Sequence, residues 1–209
     1  MQQVKDKWNR WLPVVLMLAF ALTRWPGLLP WNFSALYALA FCGGAFLPRK
    51  LAWSLPLATL AISDVLLNFY HTAQGYNAWQ PELLFNYVAA VAIVWLGTRF
   101  GPRAPISKLI GGGLLGAIIF YLVTNTASWF FNPFNNPEYT KTFLGWWTAL
   151  TVGAKGYPPT WEFFRSTLLS GGLFTALFAG AMKLTESKET AEQKEEEAEP
   201  ATEPEKTEA

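Results

Sequence analysis

Long apolar runs, separated by short joints that carry proline and basic residues, dominate the first 183 positions of the chain. They lie at about 11–30, 33–47, 51–70, 82–99, 109–131 and 161–183. A helix needs about 20 apolar residues to cross the hydrocarbon core of a bilayer. The first, second and fourth runs reach that length only with their flanking residues. Pro26 and Pro30 follow the apolar stretch 11–23 of the first run, and Pro48, Pro81, Pro102, Pro105 and Pro158-Pro159 fall between runs, where they delimit helices instead of breaking them. Pro13 and Pro56 lie inside runs and predict kinks or first-turn positions. The pattern predicts an all-α fold: a polytopic membrane bundle of about six transmembrane helices over residues 1–184.

Two segments do not fit a span. Residues 132–160, with Trp146-Trp147 and three glycines, are too long for a bare loop, which predicts an interfacial helix or lid around 143–152. Residues 185–209 hold no aromatic side chain and are rich in Glu, Thr, Ala and Pro, so a disordered acidic tail is expected there. Its role is either electrostatic docking or plain solvation.

Charge changes the picture by fixing orientation. The net charge of +1 conceals an uneven distribution, since the segment from Glu186 onward has ten Glu against three Lys and the body is basic. Lys5, Lys7 and Arg10, then Arg49 and Lys50, then Arg99, Arg103 and Lys108 mark alternate joints. The joints between them hold only Arg24, then no Lys or Arg from His71 to Glu82, then Lys141 and Lys155. Positive residues stay on the cytoplasmic side, so both termini are expected in the cytoplasm of a bacterial cell, with the body in its plasma (inner) membrane. Trp8, Trp11, Trp53 and Trp95 then fall near the inner boundary, and Trp25, Trp31, Trp79, Trp129 and Trp161 near the outer one. The basic start followed by Ala19-Phe20-Ala21 also fits a cleaved leader, which would leave the later spans unchanged.

With that orientation, the polar residues inside spans collect in the outer half. Asp64, Asn68 and His71 share one helix face, and Glu82 shares another with Asn86. Tyr121, Thr124, Asn125 and Ser128 form a third stripe; Glu162, Arg165, Ser166 and Ser170 form a fourth. Arg24 and Asn32 flank the first outer turn. Polar groups are costly inside a bilayer, so four stripes at one depth predict a single outward-facing cavity. Its expected lining is Arg24, Asn32, Asp64, Asn68, His71, Asn86, Asn125, Trp129, Glu162 and Arg165. Asp64 and Arg165 would be the charged anchors, with Trp129 and Trp146-Trp147 closing the lid. The competing reading pairs Asp64 with Arg24 or Arg165 as a structural ion pair and uses the asparagines as interhelical hydrogen bonders. Small residues recur at spacing four at Ala40/Gly44, Gly112/Gly116 and Gly172/Ala176/Gly180, which serves close packing within the bundle or docking of another membrane subunit.

A single cysteine, Cys42, and a single histidine, His71, exclude an internal disulfide and any multi-His or Cys₂His₂ metal site. Cys42 is expected to be a small buried packing residue. Nucleotide-binding glycine loops, HExxH, GxSxG and CxxC are absent, so no catalytic residue, resident cofactor or metal is expected, and no nucleic-acid partner.

Several stretches carry a resemblance. They are Asn32 to Phe41, then Gly43-Gly44-Ala45, Leu47-Pro48-Arg49-Lys50, Pro56-Leu57 and Ile62-Ser63-Asp64-Val65-Leu66. Phe120-Tyr121, Thr124-Asn125, Trp129 and Thr142 to Gly145 continue it. Over most of residues 20–182 the chain resembles an uncharacterised bacterial family of small six-helix membrane proteins described as candidate transport proteins. That family is in turn similar to the S-components of energy-coupling-factor (ECF) transporters. The resemblance implies an S-component-like subunit that binds a small solute and works with a transmembrane coupling subunit and ATPases. The first run lacks a clear Ala-x-x-x-Ala docking stripe, with only Ala19 and Thr23 at that spacing. Two other classes stay open: a structural or scaffold membrane protein without ligand, and a stand-alone proton-coupled carrier using Asp64 and His71.

Overall fold

The computed structural model describes residue 15, residues 18–75 and residues 80–198. Lys5, Lys7, Arg10, Trp8, Trp11, Pro13, Trp79 and the last eleven residues of the expected tail lie outside the described residues. Among the described residues the fold is helical throughout, with no strand. Helix α1 is described at 18–23. It is followed by α2 (Leu36–Phe46), α3 (Arg49–Ala73), α4 (Leu84–Gly97), α5 (Ile106–Phe131), α6 (Phe143–Thr151) and α7 (Thr160–Ala198). A 3₁₀ turn, Pro81–Leu83, leads into α4.

Proline sets these boundaries as expected. Pro48 and Pro105 are the N-cap residues of α3 and α5, and Pro81 opens the 3₁₀ turn. At each place the missing N–H costs nothing, because the first turn of a helix leaves its donors unpaired anyway. Pro56 sits in the interior of α3, which runs through it unbroken.

Three helical segments are long and apolar enough to cross a membrane: Arg49–Ala73, Ile106–Phe131 and Thr160–Leu184. Their outward faces are apolar. On α3, Ile62, Val65, Leu66 and Phe69 are exposed at the i, i+3, i+4, i+7 spacing of one helix face. On α7, Leu169, Leu173 and Leu177 do the same at spacing four. Rows of this kind are rare on proteins that face water and suit contact with lipid.

α2 is different. Its sequence, LYALAFCGGAF, is apolar all round, and nine of its eleven residues are buried. It packs against α3, α4, α5 and α7, so it is the axial helix of the bundle. At 1.5 Å per residue it rises only about 16 Å, roughly half of a hydrocarbon core of about 30 Å. Two apolar clusters surround it: one around Phe20, Tyr37, Leu39 and Leu60, the other around Phe41, Cys42, Ile93, Val94 and Leu109. Cys42 is buried in the second.

Glycine sets the closest approaches. A Cβ on Gly44 would meet the Val94 carbonyl at 2.3 Å, and one on Gly97 would meet the Phe41 carbonyl at 2.2 Å, so α2 and α4 touch backbone to backbone. Gly113 receives Thr175 of α7, and Gly112 receives the Phe41 ring. Gly180, at the end of the expected α7 stripe, has open space beside it.

Two segments lie outside the expected spans. The acidic segment expected to be disordered from 185 onward is helical as far as Ala198. Glu, Lys, Ala and Gln are strong helix formers, and adding turns to an existing helix avoids the cost of a new nucleus. Pro200 follows two positions later. The 132–160 segment, expected to hold an interfacial helix or lid around 143–152, contains a short helix, α6, over Phe143–Thr151.

Candidate functional site: a divided polar cavity at one end of the bundle

The site lies where α3 and α5 end and α4 and α7 begin. The chain between α1 and α2 folds into this end, using Gly27 and Asn32 at positive φ to turn. Because α2 starts only at Leu36, the space along its axis is left to the entering chain and to a cavity.

That cavity measures about 620 Å³ and is lined by Arg24, Trp31, Asn32, Phe33, Ser34, Tyr37, Leu67, His71, Asn86, Phe120, Thr124, Asn125 and Ser128, among others. A second, of about 370 Å³, is lined by Trp31, Asn32, Glu82, Asn125, Ser128, Phe134, Asn136, Tyr139, Tyr157, Thr160 and Phe163, among others. Trp31, Asn32, Asn125 and Ser128 line both, so the two volumes are chambers divided by these four side chains. Both sizes fall in the range that holds small organic molecules, roughly 300 to 1,000 Å³.

Of the ten residues expected at the site, Arg24, Asn32, His71, Asn86 and Asn125 line the larger chamber. Asp64 stands behind it: its Oδ1 lies 2.6 Å from Arg24 Nη1, with side chains 9% and 17% exposed. Arg24 Nη1 also donates to Ser63 Oγ, which itself donates to the Leu60 carbonyl at 2.9 Å. The Asp64 carboxylate is therefore occupied by Arg24, the first of the two pairings the sequence left open. Its Oδ2 is buried with no hydrogen-bond partner. Asn68 is buried, accepting from Thr72 Oγ1 at 3.3 Å, and lines neither chamber. Asn125 donates from Nδ2 to the Tyr121 carbonyl one turn back, which fixes its position between the chambers.

Three expected residues are elsewhere. Glu162 and Arg165 are exposed on the outer face of α7. The buried face of that helix runs through Thr160, Thr167 and Ser170, so of the stripe read from the sequence only Ser170 is buried. Arg165 is thus not a charged anchor of this cavity. Trp129 donates from Nε1 to the Thr140 carbonyl at 2.7 Å and lines neither chamber.

The segment after α5 closes the smaller chamber, though not through its tryptophans. Trp146 donates to Thr126 Oγ1 at 3.0 Å, and Trp147 is half exposed. Lys141 Nζ donates to the Trp129 and Phe130 carbonyls at the end of α5, where a cation complements the helix dipole. Tyr121 donates to the Leu150 and Thr160 carbonyls, tying α5 to the end of α6 and the start of α7. The walls come instead from the loops on either side of α6, through Phe134, Tyr139 and Tyr157. Burial and the neighbouring Glu138 carboxylate raise the Tyr139 phenol above its ordinary value.

Of the lining groups outside the ten expected residues, two shape the site most. Trp31 lines both chambers and stacks on Phe163, with ring centres 5.6 Å apart. Glu82, on the 3₁₀ turn, lines the smaller one with its Oε2 buried and unpartnered. Glu82 was legible as polar at the start of a run; Trp31 was legible only as a boundary tryptophan.

Residues 5–194 match a family of unknown function (DUF6580). The chain belongs to that family. No curated protein and no solved structure matches it. Family membership covers the whole described bundle and leaves the function to be argued from the cavity. Among the described residues, no three His, Cys, Asp or Glu side chains gather where they could hold a metal ion.

Proposed function

We propose that the chain is a multi-pass membrane protein that binds a small solute in this divided cavity, as a component of solute uptake. The observation that carries the reading is the pair of chambers sharing Trp31, Asn32, Asn125 and Ser128 at one end of an otherwise apolar bundle. Amide, hydroxyl and aromatic side chains around a volume of this size bind a polar or amphipathic molecule and fix its orientation.

Three helices meet the length and composition for a span; counting α1, α2 and the 81–97 segment as shorter crossings beside them gives a six-span arrangement, which the basic joints orient with both termini in the cytoplasm of a bacterial inner membrane. The cavity then opens outward. The opposite half, around Phe41, Cys42, Ile93 and Val94, is apolar, and among the described residues no charged side chain is buried there. That favours a binding subunit energised by other proteins, as in ECF-type uptake, over a stand-alone proton-coupled carrier. No covalent chemistry is proposed. A scaffold role draws support from the Arg24–Asp64 pair and the Asn68–Thr72 bond, which hold helices and need no ligand; it leaves the chambers without a purpose.

The test is mass spectrometry of small molecules retained by the protein purified from its native membrane. One species in near-stoichiometric amount, lost from the Asn125→Ala variant, is expected. A wild-type protein that carries no such species, and whose unfolding temperature does not respond to small molecules of the culture medium, overturns the proposal.

A further inference from the structure

The smaller chamber has a composition that selects among ligands. Five of its lining side chains are aromatic: Trp31, Phe134, Tyr139, Tyr157 and Phe163. Among the described lining residues one is an ionic group, Glu82, and its Oε2 is buried without a hydrogen-bond partner. A carboxylate oxygen withdrawn from water and left unpaired is costly. Arg24 is engaged by Asp64 at 2.6 Å, so it does not answer Glu82. Arg24 lines only the larger chamber, where Asp64 engages it. A compact organic cation would supply the missing partner: its charge would meet the carboxylate, and its alkyl groups would meet the negative faces of the rings by cation–π attraction, more strongly at half-buried Tyr139 and Phe163 than at Trp31, Phe134 and Tyr157, which are exposed. An anion would face an uncompensated carboxylate, and a neutral solute, even one that donated a hydrogen bond to Oε2, would leave the charge of Glu82 without a counter-ion.

We infer that the smaller chamber is a site for an organic cation, an amine or quaternary ammonium group, with Glu82 as its counter-ion and the aromatic rings as its cage. This rests on the solute-binding reading above and adds the chemical class of the ligand. The uncharged remainder of the molecule extends past Asn32 and Asn125 into the larger chamber.

The experiment uses the full chain in detergent and three probes of similar shape: phenyltrimethylammonium, neutral tert-butylbenzene and anionic benzenesulfonate. Binding is read by isothermal calorimetry and by the shift in unfolding temperature. The cation alone is expected to bind. Glu82→Gln should weaken it at least about tenfold, Glu82→Asp should weaken it less, and Phe134→Ala should weaken it while the protein stays folded. Binding of the neutral or anionic probe as tightly as the cation, or an unchanged affinity in Glu82→Gln, overturns the cation assignment and leaves the solute-binding reading standing. Failure of all three probes to bind the folded wild-type protein also overturns the cation assignment, and the retained-molecule analysis then decides the broader reading by itself.

Discussion

Replacing Asp64 by alanine separates a residue that holds the bundle from one that holds a ligand. Arg24 Nη1 lies 2.6 Å from Asp64 Oδ1, joining the end of α1 to α3. At an effective dielectric of about 20, two unit charges at that distance attract by about 6 kcal/mol. Most of this is offset by the water both groups lose, so the net worth of the pair is small. Removing one partner is another matter, because the other charge is stranded; for buried pairs the loss is about 3 to 5 kcal/mol. Arg24 is 17% exposed and lines a cavity that admits water, which places Asp64→Ala near the lower end, about 3 kcal/mol. The double replacement Arg24→Met with Asp64→Leu removes both charges and should recover all but about 1 kcal/mol. Equilibrium unfolding in mixed micelles, followed by tryptophan fluorescence, measures all three variants. An Asp64→Ala protein as stable as wild type that has nonetheless lost its retained solute would refute this reasoning and make Asp64 a ligand contact.

Other substitutions test the packing and the site. Gly44→Ala and Gly97→Ala should each lower stability by about 1 to 3 kcal/mol, since each new methyl meets a backbone carbonyl; Gly180→Ala, with open space, should leave it unchanged or raise it slightly. Thermal unfolding of the three variants side by side checks the contrast. Tyr121→Phe should cost about 1 to 2 kcal/mol and loosen α6, read as faster hydrogen exchange over 143–151, because the Leu150 and Thr160 carbonyls lose their donor. Tyr139 has its folded pKa raised, so the folded state holds this proton more tightly. Its contribution is intact below the ordinary phenol value of 10.0 and is lost as pH climbs through the higher folded value. Tyr139→Phe should therefore flatten the loss of stability above about pH 10 in a pH series of unfolding curves.

The fold was legible where one rule governed alone. Proline at 48, 81 and 105 marked helix starts; the third and fifth apolar runs lie within α3 and α5, and the sixth starts one residue inside α7, which continues past it to Ala198. The shortness of the second run was visible too, but not its consequence, because an all-apolar sequence of eleven residues does not say that it lies on the bundle axis. The convergence of Arg24, Asn32, His71, Asn86 and Asn125 followed from depth, a one-dimensional property that spacing along helices delivers. Which way each helix faces did not follow for α7. Ser170 is reached by helical spacing from Glu162, Arg165 and Ser166 as readily as from the buried Thr160 and Thr167, and only packing against α5 chooses which set turns inward with it. Trp31 and Tyr157 were hidden for a different reason: they enter the site from irregular loops, where no periodicity reports direction. The tail was misjudged between 185 and 198 because low hydrophobicity argues against a packed core and says little about a single helix extended from one already formed.

The account stands on the polar end of the bundle facing outward as an aqueous cavity. A direct measurement is labelling of intact cells with a membrane-impermeant maleimide, using single cysteines at Ser128, which lines both chambers, and at Arg103, in the joint between α4 and α5, with Cys42 replaced by alanine. Ser128→Cys should react from outside, and be protected by bound solute, while Arg103→Cys should react only after the membrane is opened. Reaction of Arg103→Cys in intact cells, with Ser128→Cys silent until lysis, would contradict the orientation and the proposed uptake role.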